Sequence, residues 1–121
     1  MTPDQIREEA ERRLAKHSTT MAELLAGMES RDGGMYLEYE EQVLAYALRC
    51  TWRSFDGFRI YLAEGASCEY LDIYLRNWDE PRWVMFHVEL LAGGIDVLVH
   101  EHSEPFKFAV EMMKAVGDFT H

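Results

Sequence analysis

Residues 83 to 102, WVMFHVELLAGGIDVLVHEH, place the tightest constraint on what this chain can fold into. Two runs rich in Val, Leu, Ile and Phe are separated there by Gly93 and Gly94. Paired glycines between such runs favour a β-hairpin, because glycine adopts the positive φ that a tight turn between twisted strands needs. The sequence therefore predicts two antiparallel strands connected at Gly93-Gly94.

Two further strands are predicted upstream of this hairpin. From Asp56-Gly57 onward, apolar residues occupy every second position in two runs that the turn-like sequence GASC separates. The apolar positions are Phe58, Ile60 and Leu62 in the first run and Leu71, Ile73 and Leu75 in the second. Such alternation is typical of a strand with one buried face. Together with the hairpin it predicts a four-stranded antiparallel β-meander.

Helical patterns flank the predicted sheet. The predicted helices cover about residues 3–16, residues 20–33, residues 37–54 and residues 103–117. Capping residues such as Thr2 and Thr20 mark two of the starts, and glycines mark two of the ends. Tyrosines at residues 35–39 leave open whether that segment is a strand or a helix start. The prediction is a single α+β domain over residues 1–121, in the order ααα-ββββ-α, with the helices packed on one face of the meander.

The segment lengths also predict which strand residues face one another. The Gly-Gly turn pairs His87 with His100, the first hairpin pairs Tyr61 with Asp72, and the middle connection pairs Asp72 with His87. Tyr61, Asp72, His87 and His100 would then form a row on the polar face, with neighbouring Cβ atoms ~5 Å apart. The predicted flanks of this row are Arg59, Tyr74, Met85 and His102 on one side, and Ala63, Tyr70, Glu89 and Leu98 on the other.

The formal net charge of −10 limits the partners of such a domain. It exceeds the magnitude of about 2 to 8 that is usual for a small soluble domain. A chain this acidic repels nucleic acid and anionic membranes and favours basic protein surfaces, although acidity can also serve solubility alone. Glu38, Glu40 and Glu41 cluster at a predicted helix start, where they either stabilise the helix N-terminus or meet a basic site on a partner.

The cysteine pattern and the N-terminus indicate a compartment. Cys50 and Cys68 show no disulfide-framework spacing, so reduced thiols are expected. The N-terminal residues contain no apolar run of a signal peptide, and no stretch approaches the ~20 apolar residues of a membrane span. We therefore expect a cytoplasmic protein, in the host cell if it is phage-encoded.

Three interpretations of the polar sheet face remain open: a solvated surface, a protein or ligand interface, or a metal or catalytic site. Tyr, Trp, Met and Arg are the residue types of interfaces. His87, His100 and His102, with Asp72 or Glu89, would instead offer ligands to zinc or another transition metal. The candidate interface residues are Tyr61, Tyr70, Asp72, Tyr74, Trp83, Met85, His87, Glu89, His100 and His102, together with Glu38, Glu40 and Glu41.

The preferred hypothesis is a non-enzymatic protein that binds a basic partner surface, needs no cofactor, and could also form a homodimer through the same face. The sequence contains no Gly-rich phosphate loop, HExxH or GxSxG motif. Phage anti-CRISPR proteins and toxin-immunity proteins, which include inhibitors that block nucleic-acid-binding surfaces, are similar in size and charge only. The alternative hypothesis is a metal-binding or small-molecule-binding protein, or an enzyme, that uses the His, Asp and Tyr cluster.

Overall fold

A computed structural model of the chain describes residues 2–29, 42–43, 45–54, 57–65, 68–76, 80–90 and 93–117. Its main elements are α1 (Pro3–Glu29), β1 (Arg49–Ser54), β2 (Gly57–Ala63), β3 (Glu69–Arg76), β4 (Glu80–Leu90), β5 (Gly93–Val99) and α2 (Glu104–Gly117). The five strands form one antiparallel sheet in the order β1-β2-β3-β4-β5. The predicted α+β architecture with an antiparallel meander is confirmed, but the predicted numbers of helices and strands are wrong.

The fifth strand, β1, replaces the last third of the helix predicted over residues 37–54. A short helical turn ends at Ala47, whose amide donates to the carbonyl of Val43. Leu48 then donates its amide to the carbonyl of Tyr61, and Cys50 pairs with Ile60. An apolar run of this length is ambiguous between helix and strand, and pairing with β2 satisfies backbone groups that would otherwise stay exposed at an edge.

The helix α1 runs without a break where two helices were predicted. The predicted start at Thr2 is confirmed by a reciprocal cap, in which Gln5 N donates to Thr2 Oγ1 (3.2 Å) and Thr2 N donates to Gln5 Oε1 (2.9 Å). The second predicted start is wrong. Thr20, the residue expected to cap a new helix, lies inside α1, and the hydroxyl of its neighbour Thr19 donates to the carbonyl of Ala15 (3.4 Å) as in a helix interior.

The core lies between the two helices and one face of the sheet. Ile60, Leu71 and Phe86 are fully buried neighbours across three strands. The helices bury Ala10, Met21, Leu24 and Leu25 from α1 and Phe108, Ala109, Met112 and Met113 from α2. The six apolar residues of β2 and β3 that alternation assigned to the core are buried on this face, whereas Leu90 and Ile95 of the last hairpin are partly buried. None of the described helices is long and apolar enough to cross a membrane.

Strand register differs from the prediction by two positions between β2 and β3 and between β3 and β4, and by four positions between β4 and β5. Tyr61 pairs with Tyr70 rather than with Asp72, and His87 pairs with Asp96 rather than with His100. A shift by an even number keeps each side chain on its face while changing its neighbours, because side chains alternate with a period of two. The predicted row of Tyr61, Asp72, His87 and His100 is therefore wrong, although its strand members share the predicted face.

The shifts arise mainly at the connections, where Ala63 pairs with Glu69 and Arg76 pairs with Glu80, and local irregularities change the register by one position. Pairing is interrupted between Tyr61 and Ala63 in β2, and again between Tyr74 and Leu75 in β3. In the last hairpin Leu90 pairs with Gly93, so the glycines belong to β5 and not to the connection. Gly93 still adopts a positive φ of 126°, a conformation that glycine tolerates best.

Candidate functional site

The candidate site is the sheet face that points away from the core, here called the open face. None of the described helices lies over it, because α1 and α2 pack against the core-face side chains. Its described side chains are Arg49, Thr51, Arg59, Tyr61, Tyr70, Asp72, Tyr74, Trp83, Met85, His87, Glu89, Asp96 and Leu98. Most of the candidate interface residues on the sheet therefore share one surface.

A continuous row of side chains in contact crosses all five strands on the open face. The guanidinium of Arg49 lies 4.2 Å from the centre of the Tyr61 ring. The Tyr61 and Tyr70 rings are 5.6 Å apart, and His87 stacks on Tyr70 with centroids 4.5 Å apart. The row ends where Nδ1 of His87 meets Oδ1 of Asp96 at 2.9 Å. We call these five side chains the aromatic ladder; each restricts the rotamers of the next.

A salt bridge between Arg59 and Asp72 supports the aromatic ladder from the adjacent row. Asp72 accepts hydrogen bonds from Nε and Nη2 of Arg59 at 2.7 and 3.0 Å and is only 5% exposed. These hydrogen bonds raise the pKa of Arg59, whose guanidinium also lies 3.8 Å from the Tyr70 ring centre. The predicted pairing of Asp72 with His87 is wrong, because Asp72 lies opposite Arg59 on β2 and opposite Met85 on β4.

Large apolar side chains are exposed beside the ladder. Trp83 is 39% exposed and Leu98 is 64% exposed. Met85 pairs with Leu98 and is half-buried, while Tyr74 packs 5.8 Å from Trp83. Adjacent exposed apolar residues on a rigid surface are typical of a site that meets another molecule.

Two exposed carboxylates flank His87 at one end of the open face. Its Nδ1 meets Asp96, and its Nε2 lies 3.5 Å from Oε1 of Glu89 and is buried without a hydrogen-bond partner among the described residues. The ring sits over Gly94, where a Cβ would come within 2.9 Å of Cε1. Glu89 and Asp96, together with Glu64, form what we call the acidic rim.

The three histidines of the proposed metal site are not brought together. His87 pairs with Asp96, so His100 lies four positions farther along, a separation of about 13 Å at ~3.3 Å per residue. His100 and His102 are exposed beyond the end of β5. Within the described residues no group of three or more His, Cys, Asp or Glu side chains could hold a metal ion. Glu38, Glu40 and Glu41, the remaining candidate residues, lie outside the described residues.

A second polar cluster, which the sequence did not suggest, joins α1 to the sheet on the core side. Oε1 of Glu69 lies 2.5 Å from Nε2 of His17, and its other oxygen accepts a hydrogen bond from Nη1 of Arg13 at 2.9 Å. Nδ1 of His17 contacts the hydroxyl of Tyr46, and burial raises the pKa of that phenol. Glu69 is 8% exposed, and its charge is compensated by these partners.

One sequence signal could have revealed this cluster. His17 occupies a position of the apolar stripe of α1 that continues from Ala10 and Leu14 to Met21, spaced by three or four residues. A histidine on such a stripe must find partners in the core, and the alternation of β3 puts Glu69 on the same side as Leu71. The interruption predicted near residues 17–20 concealed that continuity.

The two cysteines have no features of nucleophiles. Burial raises the pKa of the Cys50 thiol to about 11. Burial, followed by the charges of Glu89 and Glu64, also raises the pKa of Cys68. Both thiols therefore stay protonated near neutral pH, and a protonated thiol is a poor nucleophile.

Among known proteins, no family model, curated protein or solved structure matches this chain.

Proposed function

We propose that this protein is a non-enzymatic binding protein that docks onto a basic surface of a protein partner through its open face. The observation that supports this most strongly is the exposure of Trp83 and Leu98 next to the aromatic ladder. Trp, Tyr and Arg dominate the binding energy of protein interfaces, particularly where they are held rigidly and can be fully desolvated.

The acidic rim supports a partner of basic character. Glu89 and Asp96 are each 57% exposed at the side chain, and Glu64 is 46% exposed. Glu64 is paired with Arg49, whereas Glu89 and Asp96 flank His87. Lysine or arginine side chains of a partner would meet these carboxylates at the edge of the contact, and the net charge of −10 would steer the encounter.

Pre-organisation of the ladder supports binding rather than a merely solvated surface. Docking normally loses side-chain entropy of about 0.5–1.5 kcal/mol for each immobilised side chain. Tyr70 and His87 are already stacked, and Tyr61 packs against Tyr70 with its ring tilted, so this loss is reduced.

The size of the open face favours a separate partner over a permanent homodimer. Five strands at ~4.8 Å spacing and about seven residues at ~3.3 Å give a footprint near 550 Å², or about 1,100 Å² counted on both partners. Permanent homodimers bury about 2,000–5,000 Å², whereas weak or transient contacts lie below about 1,200 Å². The open face therefore fits a transient contact with another protein.

The acidity of the chain favours one form of this function, in which the protein inhibits its partner by blocking a surface that handles nucleic acid. The contact itself would be ordinary interface recognition rather than imitation of a phosphate backbone, because Arg49 and Arg59 lie on the same face as the carboxylates. A duplex as long as a domain of this size carries about 20 phosphates, twice the net charge of this chain.

Capture from the native host, followed by binding of the purified partner to matched variants, tests the proposal. Leu98→Lys on the open face is compared with Leu48→Lys, since Leu48 is 51% exposed and lies outside the open face. We expect Leu98→Lys and Trp83→Ala each to weaken binding at least tenfold, and Leu48→Lys to leave it unchanged. Equal loss from both lysine variants, a partner whose contact surface is acidic, or a stable homodimer mass for the purified chain would contradict the proposal.

A further inference from the structure

A cavity of about 360 Å³ lies between α1 and the beginning of β3, on the side of the sheet opposite to the open face. Its lining residues are Glu9, Arg12, Arg13, Lys16, His17 and Glu69. Cavities that bind small molecules begin at about 300 Å³. Three of the twelve Lys and Arg residues of this acidic chain line this one cavity, which makes it a local concentration of positive charge.

The two carboxylates of the cavity are already engaged. Glu9 pairs with Arg12 and accepts a hydrogen bond from Nε of Arg13 at 2.9 Å, and these contacts lower the pKa of Glu9. Glu69 contacts Arg13 through one oxygen and His17 through the other. The carboxylates therefore hold Arg13 and His17 in place, and the lining as a whole keeps a positive charge.

The remaining capacity for hydrogen bonds belongs to donors. Lys16 is exposed and has no ion-pair partner within the described residues, and Arg12 is 64% exposed at the side chain with one nitrogen engaged by Glu9. Residues four apart on a helix are neighbours, with Cβ atoms about 6 Å apart. An ammonium and a guanidinium at that spacing can both donate hydrogen bonds to the same oxyanion.

We infer that this cavity binds a small molecule that carries a phosphate or carboxylate group. Arg12 and Lys16 contact the anion directly, and Arg13 and His17 are positioning residues that Glu69 holds in place. The site is independent of the proposed protein-binding function, because its residues lie on α1 and on the core side of β3.

Titration of the purified full-length chain with inorganic phosphate, and separately with citrate, tests this inference. Ionic strength is held constant with sodium chloride, and amide chemical shifts report where each anion binds. We expect a saturable shift centred on residues 12–17 for at least one of the two anions. Lys16→Gln and Arg12→Gln should each raise the dissociation constant of the bound anion about tenfold. The anion that saturates the shift at the lower concentration shows whether phosphate or carboxylate is the preferred group.

Arg7→Gln is the matched control, because it removes the same charge from an exposed position of α1 that does not line the cavity. This variant should bind like the unmodified chain. The inference is overturned if neither anion gives a saturable shift, or if Arg7→Gln weakens binding as much as Lys16→Gln, which would indicate general screening of charge.

Discussion

Arg59 and Asp72 lie directly opposite each other on β2 and β3 and are joined by two parallel hydrogen bonds of 2.7 and 3.0 Å. The guanidinium of Arg59 also lies over the ring of Tyr70. This salt bridge therefore contacts the aromatic ladder from the neighbouring row of side chains. Replacing Asp72 by Ala leaves Arg59 charged and largely buried without its carboxylate partner. We expect the free energy of unfolding to fall by about 3 kcal/mol, measured by urea denaturation.

Arg59→Lys is the control for this pair, since it keeps the charge but removes the two-pronged geometry. It should lose less stability than Asp72→Ala. A loss below about 1 kcal/mol for Asp72→Ala would place the pair among exposed salt bridges that contribute little.

Val97 and Leu98 are neighbours on β5 that face opposite sides of the sheet. Val97 is 7% exposed and Leu98 is 64% exposed. Val97→Ala removes two buried methyl groups and should lower the free energy of unfolding by about 2 kcal/mol. Leu98→Thr should change it by no more than about 0.5 kcal/mol. If thermal and urea unfolding showed the reverse order, the assignment of the two faces would be wrong.

Gly94 leaves space for the His87 ring. A Cβ at this position would lie 2.9 Å from Cε1 and 3.2 Å from Nε2 of His87, so the ring must shift off Tyr70 or away from Asp96. We expect Gly94→Ala to lower the free energy of unfolding by about 1–2 kcal/mol. In a His87→Ala background the same substitution should cost much less. An equal loss in both backgrounds would mean that the contact is not the cause.

Glu69 is expected to stabilise the fold through His17 and Arg13 together. Glu69→Ala leaves both partners without their acceptor, and hydrogen bonds to charged groups contribute about 1.5–3 kcal/mol. We expect a loss in that range by urea denaturation. A double-mutant cycle with His17→Ala should give a coupling energy of at least about 1 kcal/mol, whereas strictly additive losses would show that the two side chains act separately.

Alkaline pH should destabilise the protein through Cys50. Its pKa is raised from an ordinary value of 9.0 to about 11 in the folded chain. Between these values the unfolded chain releases the thiol proton while the folded chain retains it, so the free energy of unfolding falls as pH rises. Cys50→Ala should flatten that slope between pH 9 and pH 11. An unchanged slope in chemical denaturation across this range would assign the effect to other groups.

The alternation of apolar residues determined which side chains face the core. Phe58, Ile60, Leu71, Ile73 and Phe86 are all buried as the pattern predicts. This property survives errors of two or four positions in register, because side chains on a strand return to the same face every second residue. The α+β architecture and the antiparallel meander were therefore predictable without coordinates.

The neighbours of each side chain on the open face were decided only by the tertiary structure. The strands turn back at other residues than predicted, with Ala63 opposite Glu69, Arg76 opposite Glu80 and Leu90 opposite Gly93, and the periodicity of the sequence does not show where a strand turns back. His87 consequently stacks on Tyr70 and meets Asp96, instead of joining Asp72 and His100.

Long-range contacts likewise decided the elements that the sequence left ambiguous. Residues 49–54 became a strand because β2 supplies a hydrogen-bonding edge, and α1 continues past Thr19 because residues on both sides of it, Ala10 and Met21, are buried in the same core. The partnership of His17 with Glu69 joins residues 52 positions apart. Local sequence determines the periodicity of each segment and which of its side chains face the core. Which strand or side chain each one pairs with depends on the segments that meet in the folded chain.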